Sequence, residues 1–566
     1  MTPEDRIRSA LSRALAALGA PDQDVQFERP RDPAHGDLAT NVAMTLASKL
    51  RRAPRQIAEE LARTIDTGEA GVDAVEVAGP GFLNFRLASG TLAERLRQVL
   101  ESDETFGRSA SGGGEPVVVE WVSANPTGPL HLGHGRQAAL GDAICHLLEW
   151  TGWSVHREFY YNDSGKQMEL LGRSVWVRYQ QELGEPVVFP EVGYHGQYVV
   201  DVARSFIEQA GDRYRNDDSP EALDAMRAFA VRILIAEIGR DLEEFRVRFD
   251  EYYRESSLYE EGRVERTVAA LRKTGLVYEH EGAVWLKTTE FGDQKDRVML
   301  RGDGNPTYFL PDVAYHVTKW ERGYHHAINV QGADHHGTVP RVRAGLRALG
   351  LPEGYPEYVL HQMVTVERGG QEVKFSKRAG SYTTLRELFT EVGVDVVRYF
   401  FQMRRPEAHL VFDLDVALDQ SDKNPVYKVQ YAHARMHSIF AKAGIEPSAV
   451  TGEGVDLSVL AHPSERELVK QLLEFPATLE RAAAGRAPHV LCDYLEQTSG
   501  QVNSWYHAGN PSRDPGLAVL VDDPALRAAR LVLVRAILTV LRNGLRVLGI
   551  TAPQRMQRPE EEPVRA

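Results

Sequence analysis

The chain has 566 residues, 43% of them hydrophobic and 26% charged. That balance belongs to globular proteins and excludes collagen-like, low-complexity and disordered chains, while the length calls for about three or four domains. With 66 Lys+Arg against 80 Asp+Glu the net charge is -14, so nucleic-acid binding would need local basic patches or shape rather than an overall positive field. The two cysteines, Cys145 and Cys492, lie far apart. They form no disulfide framework or Cys-x-x-Cys knuckle, and buried free thiols in a reducing cytoplasm are expected.

In chain order, Ile7, Leu11, Leu15 and Leu18 recur at helical spacing behind Thr2 as N-cap and Pro3 at the first helical position. They predict an amphipathic helix near 3–18 rather than a signal peptide. No apolar run approaches the roughly 18 residues needed to span a bilayer. Helices near 38–49 and 54–66 and strands near 72–78 and 82–87 complete a small N-terminal α/β domain, 1–108. A Gly-rich linker at 109–116 leads into the apolar strand 117–122, a helix at 135–150 and a strand at 153–161. With buried strands at 327–331 and 360–366, this alternation predicts a Rossmann-like parallel sheet over 115–423, carrying a charged, mostly helical insertion near 165–300. Residues 424–556 read as all-helical, with Leu531, Val534, Ile537, Leu538, Leu541, Leu545 and Leu548 on one apolar stripe. The charged tail 557–566 is expected to be flexible.

Two segments carry chemistry. In Glu120-Trp-Val-Ser-Ala-Asn125-Pro-Thr-Gly-Pro-Leu-His131-Leu-Gly133-His134-Gly135-Arg136, a strand runs through a Pro/Gly loop into a helix start. Free backbone N–H groups and the helix dipole make such a turn an anion site. Gly133 lets a phosphate or a base approach the backbone, and His131 and His134, three apart, can donate to oxygens that gain charge in reaction at phosphorus. Far downstream, Lys374-Phe-Ser376-Lys377-Arg-Ala-Gly380 places two ammonium groups and a hydroxyl on one loop, suited to clamping a triphosphate and the leaving pyrophosphate.

These segments resemble the HIGH and KMSKS motifs of class I aminoacyl-tRNA synthetases, and the flanks of the first are similar to those of the arginyl-tRNA synthetase family. Phe375 stands for Met and Arg378 for the final Ser of the second motif, and Lys377, lost in many members, is present. The resemblance spans about 1–556. It implies a monomeric, cytoplasmic enzyme that activates L-arginine with ATP and transfers it to tRNA(Arg). ATP with Mg²⁺ is substrate, and no permanently bound cofactor, metal site or membrane contact is expected. A planar five-donor guanidinium is best met by carboxylates. Glu120, Asn125, His131, Tyr308, Asp312 and Asp334 are the positions the family implies for arginine, with Tyr308 and Asp312 matching its Tyr-x-x-x-Asp step. For ATP the implied set is His131, Gly133, His134, Gly332, Asp334, Lys374, Ser376 and Lys377, of which His131, His134, Lys374 and Lys377 are catalytic. In Gln331-Gly-Ala-Asp-His-His-Gly337, Gly332 permits close approach and Asp334 can bond ribose hydroxyls.

The outer domains read as tRNA binders. Phe82 and Asn84 share a strand face, where an aromatic and an amide can stack on and bond one splayed base. Many relatives have Tyr in place of Phe82. Tyr427, Tyr431 and Arg435 fall four apart on one helix face and can stack unpaired bases. Met556, where relatives often end, completes the implied set. Three alternatives stand beside this reading: a class I synthetase for another amino acid, a synthetase-like binding protein without catalysis, and a small-molecule nucleotidyltransferase sharing His-x-Gly-His.

Overall fold

The structure, a computed structural model, describes residues 3–28, 30, 35–373, 384–510 and 513–556. The N-terminal part holds α1 (Pro3–Ala17), β1 (Leu38–Thr40), α2 (Val42–Leu50), α3 (Pro54–Thr64), α4 (Thr67–Ala70), β2 (Val72–Ala78), β3 (Phe82–Leu87) and α5 (Ser89–Ser102). β1, β3 and β2 form an antiparallel sheet in that order. The helix expected from residue 38 begins only at Val42. Leu38–Thr40 pairs instead with Leu83–Phe85, a tertiary pairing that overrides local helix preference. Thr2, the expected N-cap of α1, lies outside the described residues.

The middle of the chain is built on five parallel strands: β4 (Pro116–Glu120), β5 (Ser154–Tyr161), β6 (Glu251–Arg254), β10 (His326–Gly332) and β11 (Glu357–His361), in the order β11-β10-β4-β5-β6. The expected parallel sheet is therefore present, with two differences in detail. The apolar stretch 360–366 is two strands, because β12 (Val364–Arg368) leaves the main sheet to pair with β13 (Gln371–Glu372) and β14 (Leu410–Asp413). The segment 165–300 is less purely helical than expected. α7 (Lys166–Glu182), α8 (Gln197–Ala210) and α9 (Pro220–Glu244) pack around their own core of Met168, Val175, Phe206 and Met226. The chain then returns to the main sheet as β6 and, after α10 (Glu255–Glu260) and α11 (Arg263–Lys273), forms an antiparallel sheet of β7 (Val277–His280), β8 (Ala283–Leu286) and β9 (Arg297–Leu300). Short strands of this kind are poorly marked by pattern, since their burial is partial.

Helices cover both faces of the main sheet. α6 (Leu132–Trp150) follows β4. α12 (Phe309–Glu321) and α13 (Val339–Ala348) flank β10, and α14 (Leu385–Val392), α15 (Val394–Gln402) and α16 (Leu414–Leu418) lead out. The helical C-terminal part comprises α17 (Pro425–Ala443), α18 (Pro463–Leu473), α19 (Phe475–Ala484), α20 (Pro488–Ala508) and α21 (Pro524–Val547). Every residue of the predicted apolar stripe is buried. That stripe does more than fill its own bundle. One apolar core runs from Ile7, Leu11 and Phe85 through Val99 to Leu472, Ile537 and Leu541, joining the two ends of the chain. Asp103 seals the seam, accepting 2.7 Å bonds from Arg535 and Arg542, and Lys470 pairs with Asp37.

The C-terminal part meets the helices of the main sheet at a fully buried guanidinium. Arg398 in α15 donates to Phe245 O at 2.8 Å, to Leu548 O at 3.1 Å and to the Asp142 carboxylate in α6. Breaking such a buried pair costs about 3–5 kcal/mol, because one charge is left stranded. The turn after α21 fits around this group only as glycine: Gly549 has φ +68°, and a Cβ there would lie 2.0 Å from an Arg398 nitrogen. Gly549→Ala is expected to lower the midpoint of denaturant unfolding, by about 2 kcal/mol or more in stability. An unchanged midpoint would show that the turn relaxes freely.

Candidate active site

The strand order reverses at β4. β5 and β6 lie on one side of it, β10 and β11 on the other, and ligands of doubly wound sheets bind in the crevice beyond the carboxyl ends at such a point. A cavity of about 470 Å³ sits there, lined by residues following β4 (Ser123, His131, Gly133, His134), β10 (Gly332, Asp334) and β11 (His361, Met363, Val364). Its floor is strained. Val122 has φ +64° and Ser123 φ +43°, and Ser123 N–H donates to Trp121 O at 2.9 Å. Positive φ at a β-branched residue is costly and clusters at functional sites. Here it turns Ser123 back so that its hydroxyl donates to Glu120 at 3.0 Å and accepts from the Tyr160 N–H at 3.2 Å.

The histidines form the first turn of α6. His131 is the N-cap, its Nδ1 accepting from Gly133 N–H at 3.1 Å and His134 N–H at 3.4 Å. His134 Nδ1 accepts in return from His131 N–H at 3.4 Å. The rings stack with centroids 3.7 Å apart. Burial lowers both pKa values, that of His134 to about 3, so both imidazoles are neutral at pH 7. A neutral ring whose Nδ1 accepts carries its proton on Nε2. The capping geometry therefore gives each histidine one Nε2–H donor. α6 thus begins at Leu132, earlier than the 135 expected from pattern, because the histidines supply the cap.

On the β5–β6 side the residues expected to hold a cation separate into two groups. Glu120, 4% exposed, is already committed: Lys319 from α12, with no exposed surface, binds it at 2.6 Å and Asn329 at 3.2 Å. Asp312 has no hydrogen bond or ion pair to its carboxylate among the described residues. Burial, then Glu120 and Glu255, push its pKa up to about 8, with Lys319 opposing. Glu255, which accepts from Tyr160 Oη at 2.8 Å and Asn162 Nδ2 at 3.1 Å, is also raised, chiefly by burial. Asn125 spans the two strand ends, accepting from Asn162 N–H at 3.0 Å and donating to Gln167 at 2.9 Å. Tyr308, one turn before Asp312, is 77% exposed at the N-cap of α12. Asp334 is exposed on the opposite lip and meets His335 at 3.7 Å. The motif does not single out Ser123, Lys319 or Glu255. A polar stripe Asp312–His316–Lys319 at i, i+4, i+7 on an otherwise apolar helix is the signal that marks Lys319.

Lys374, Ser376 and Lys377 lie outside the described residues. The residues that bracket them do not: Val373 lines the cavity, Thr384 bridges to His131, and Leu385 N–H donates to Leu130 O at 2.8 Å. In the outer parts, Phe82 is half-buried and Asn84 6% exposed. Tyr427 and Tyr431 stack at 5.6 Å, and Tyr427 and Met556 line a common concavity. Arg435 is buried between Tyr431 and Tyr506 and donates to Asn503 at 2.7 Å, so its plane faces protein rings rather than open surface. His156, Glu158 and Glu251 come within 4.8 Å of one another, the spacing of a metal-ligand set, and the Arg322 guanidinium lies against them at 2.6 Å from Glu158 and 2.8 Å from Glu251. Among the described residues no helix is long and apolar enough to cross a membrane.

Comparison with known proteins agrees with this geometry throughout the chain. Family models described as arginyl tRNA synthetase N terminal domain, tRNA synthetases class I (R) catalytic domain, and DALR anticodon binding domain match residues 5–87, 95–399 and 429–556. The arginine–tRNA ligase of Methylibium petroleiphilum is 50% identical, covering 97% of this chain and 98% of its own, and that of Geotalea daltonii is 48% identical, covering 98% and 100%. The Thermus thermophilus arginyl-tRNA synthetase superposes with a TM-score of 0.75 at 26% identity, covering 97% and 99%. The strand reversal, the histidine-capped helix and the matches to all three parts have one reading: the chain belongs to the arginyl-tRNA synthetase family of class I aminoacyl-tRNA synthetases.

Proposed function

We propose that this chain joins L-arginine to tRNA at the β4 switch point, with arginine on the β5–β6 side and ATP, as its Mg²⁺ complex, on the β10–β11 side. An arginine carboxylate oxygen attacks the α-phosphorus, and the bond to pyrophosphate breaks, leaving arginyl-adenylate. A hydroxyl of the tRNA's terminal nucleotide then attacks the acyl carbon, and AMP departs. The single observation that carries the substrate assignment is the Asp312 carboxylate: unpaired among the described residues, next to two further acidic groups, with the nearby ammonium of Lys319 bound to Glu120. Such acidic surroundings favour a cation, and a guanidinium supplies the donors a carboxylate can accept in pairs. Asp312 also acts electrostatically on Tyr160, Tyr259 and Tyr358. Phenol rings suit a planar cation that stacks.

In this reading Asp312 and Glu255 bind the guanidinium end, and Tyr308 covers it. Glu120, paired with Lys319, holds the floor rather than the ligand, and Asn125 fixes the spacing of the strand ends. The Nε2–H donors of His131 and His134 meet phosphate oxygens as charge builds. Gly332 and Asp334 hold the ribose, and Lys374, Ser376 and Lys377 take the β- and γ-phosphates. Residues 1–108 and 424–556, sharing one core, serve as a single tRNA-reading body around a catalytic domain of 115–423. Phe82, Asn84, Tyr427, Tyr431 and Met556 are its contacts, and Arg435 orients the tyrosines. The protein works as a monomer in the cytoplasm.

An aminoacylation assay with purified tRNA and each of the twenty amino acids tests the whole reading. Charging by arginine alone is expected, and charging by another amino acid refutes it. His134→Ala should reduce turnover about 10²–10³-fold with little change in the KM for tRNA, as for a lost transition-state donor; unchanged turnover would remove His134 from the reaction. The KM for arginine should depend on pH. Below about 8 the free Asp312 holds a proton that a bound guanidinium must displace, so KM should fall as pH rises from 6 to 8, by up to about tenfold per unit, and level off above. Asp312→Asn should raise KM and flatten that slope. A wild-type KM independent of pH over this range would show that Asp312 does not face the cation.

A further inference from the structure

His361 ends β11 and has no counterpart among the residues given a role above. Its ring is 4% exposed, lines the cavity, and has no hydrogen bond to Nε2 among the described residues. Its other nitrogen is fixed. Nδ1 lies 3.2 Å from Gln362 O, a group that only accepts, so Nδ1 carries the proton and Nε2 presents a lone pair. That carbonyl is itself held, because the fully buried Arg136 of α6 donates to it at 2.8 Å. The neighbouring charges favour the same state. Burial, Arg136 and His131 depress the pKa, with Gln362 O and Asp334 opposing, and the net effect is a value of about 4. At pH 7 the ring is neutral, and Nε2 is an acceptor.

The position of this acceptor along the strand ends selects what it meets. The acidic groups lie on the β5–β6 side and the histidine donors above β4. Gly332 ends β10 and is directly opposite His361 in register. A nucleotide whose α-phosphorus reacts above β4 and whose ribose lies at Gly332 and Asp334 must send its base toward β11. There the wall changes character: Met363, Val364, Val366 and Val373 line it beside Thr365 and Glu372, a largely apolar surface with an acidic rim, suited to a flat heterocycle and not to phosphate. We infer that His361 Nε2 accepts a hydrogen bond from the exocyclic 6-amino group of the bound purine, and so selects adenine over guanine. Guanine presents a carbonyl at that position, which would set acceptor against acceptor in a buried place. This rests on the proposed reading of ATP as the substrate of the cavity.

The test compares ATP with purine riboside 5′-triphosphate, which has hydrogen in place of the 6-amino group, in tRNA charging by the full chain. Wild type should show a KM roughly tenfold higher for the analogue, the weight of one hydrogen bond to a buried acceptor. His361→Leu should raise the KM for ATP roughly tenfold, leave that for the analogue in place, and leave the KM for arginine unchanged. His361→Gln, which keeps an acceptor, should retain most of the preference. Equal use of the two nucleotides by wild type overturns the inference without any variant, and an equal rise in both KM values in His361→Leu overturns it by showing a packing role. Failure of wild type to charge arginine with ATP would instead refute the proposed function, so the two failures are distinguishable.

Discussion

The buried pair of Lys319 and Glu120 decides the electrostatics of the whole crevice. An ammonium with no exposed surface would be prohibitively costly alone, and so would the carboxylate it meets at 2.6 Å. Together they are stable, and their mutual neutralisation has a consequence for their neighbour. Asp312, two turns away on the same face of α12, is left with acidic surroundings and no ion-pair partner among the described residues. Under the proposed function, it is this acid that a cationic substrate would meet.

A second constraint acts through α6. Its N-terminus offers unsatisfied N–H groups that the two histidines cap with their Nδ1 atoms, and capping in turn fixes the tautomer that leaves Nε2–H outward. Helix-capping therefore uses one edge of each ring and leaves the opposite edge for the phosphate contacts of the proposed function. The middle of this helix is tied to the rest of the molecule through Asp142 and Arg398, and Arg398 grips the turn after α21. The same helix also donates through Arg136 to Gln362 O, beside His361. Both sides of the cavity and the C-terminal part are thereby referred to one helix, which is how a site assembled from distant segments keeps its dimensions.

The common core of the two chain ends packs them into one unit. Ile7, Phe85 and Val99 pack in one continuous cluster with Leu472 and Ile537, so the N-terminal sheet is fixed to the helical bundle rather than to the catalytic sheet alone. Phe82 and Tyr431, the proposed tRNA contacts, stand on elements, β3 and α17, that share this core.

The sequence by itself determined the elements whose signals are local: the amphipathic α1, the stripe of α21, the alternation that forms the parallel sheet, and the Gly/His turn at a helix start, each legible because periodicity and capping act over a few residues. It also singled out His131 and His134, which line the cavity beyond β4. It could not tell that Leu38–Thr40 is a strand, that 360–366 breaks between two sheets, or that Arg435 lies sandwiched between Tyr431 and Tyr506, since each depends on a partner distant in the chain. The division of labour among the acidic groups was decided only by tertiary structure. Glu120 and Asp312 are the same kind of group in the sequence, and only the approach of Lys319 to one of them, bridging 199 residues, spends that carboxylate and leaves the other free. Pairing energies in a buried site depend on distance in space, which the order of residues does not contain.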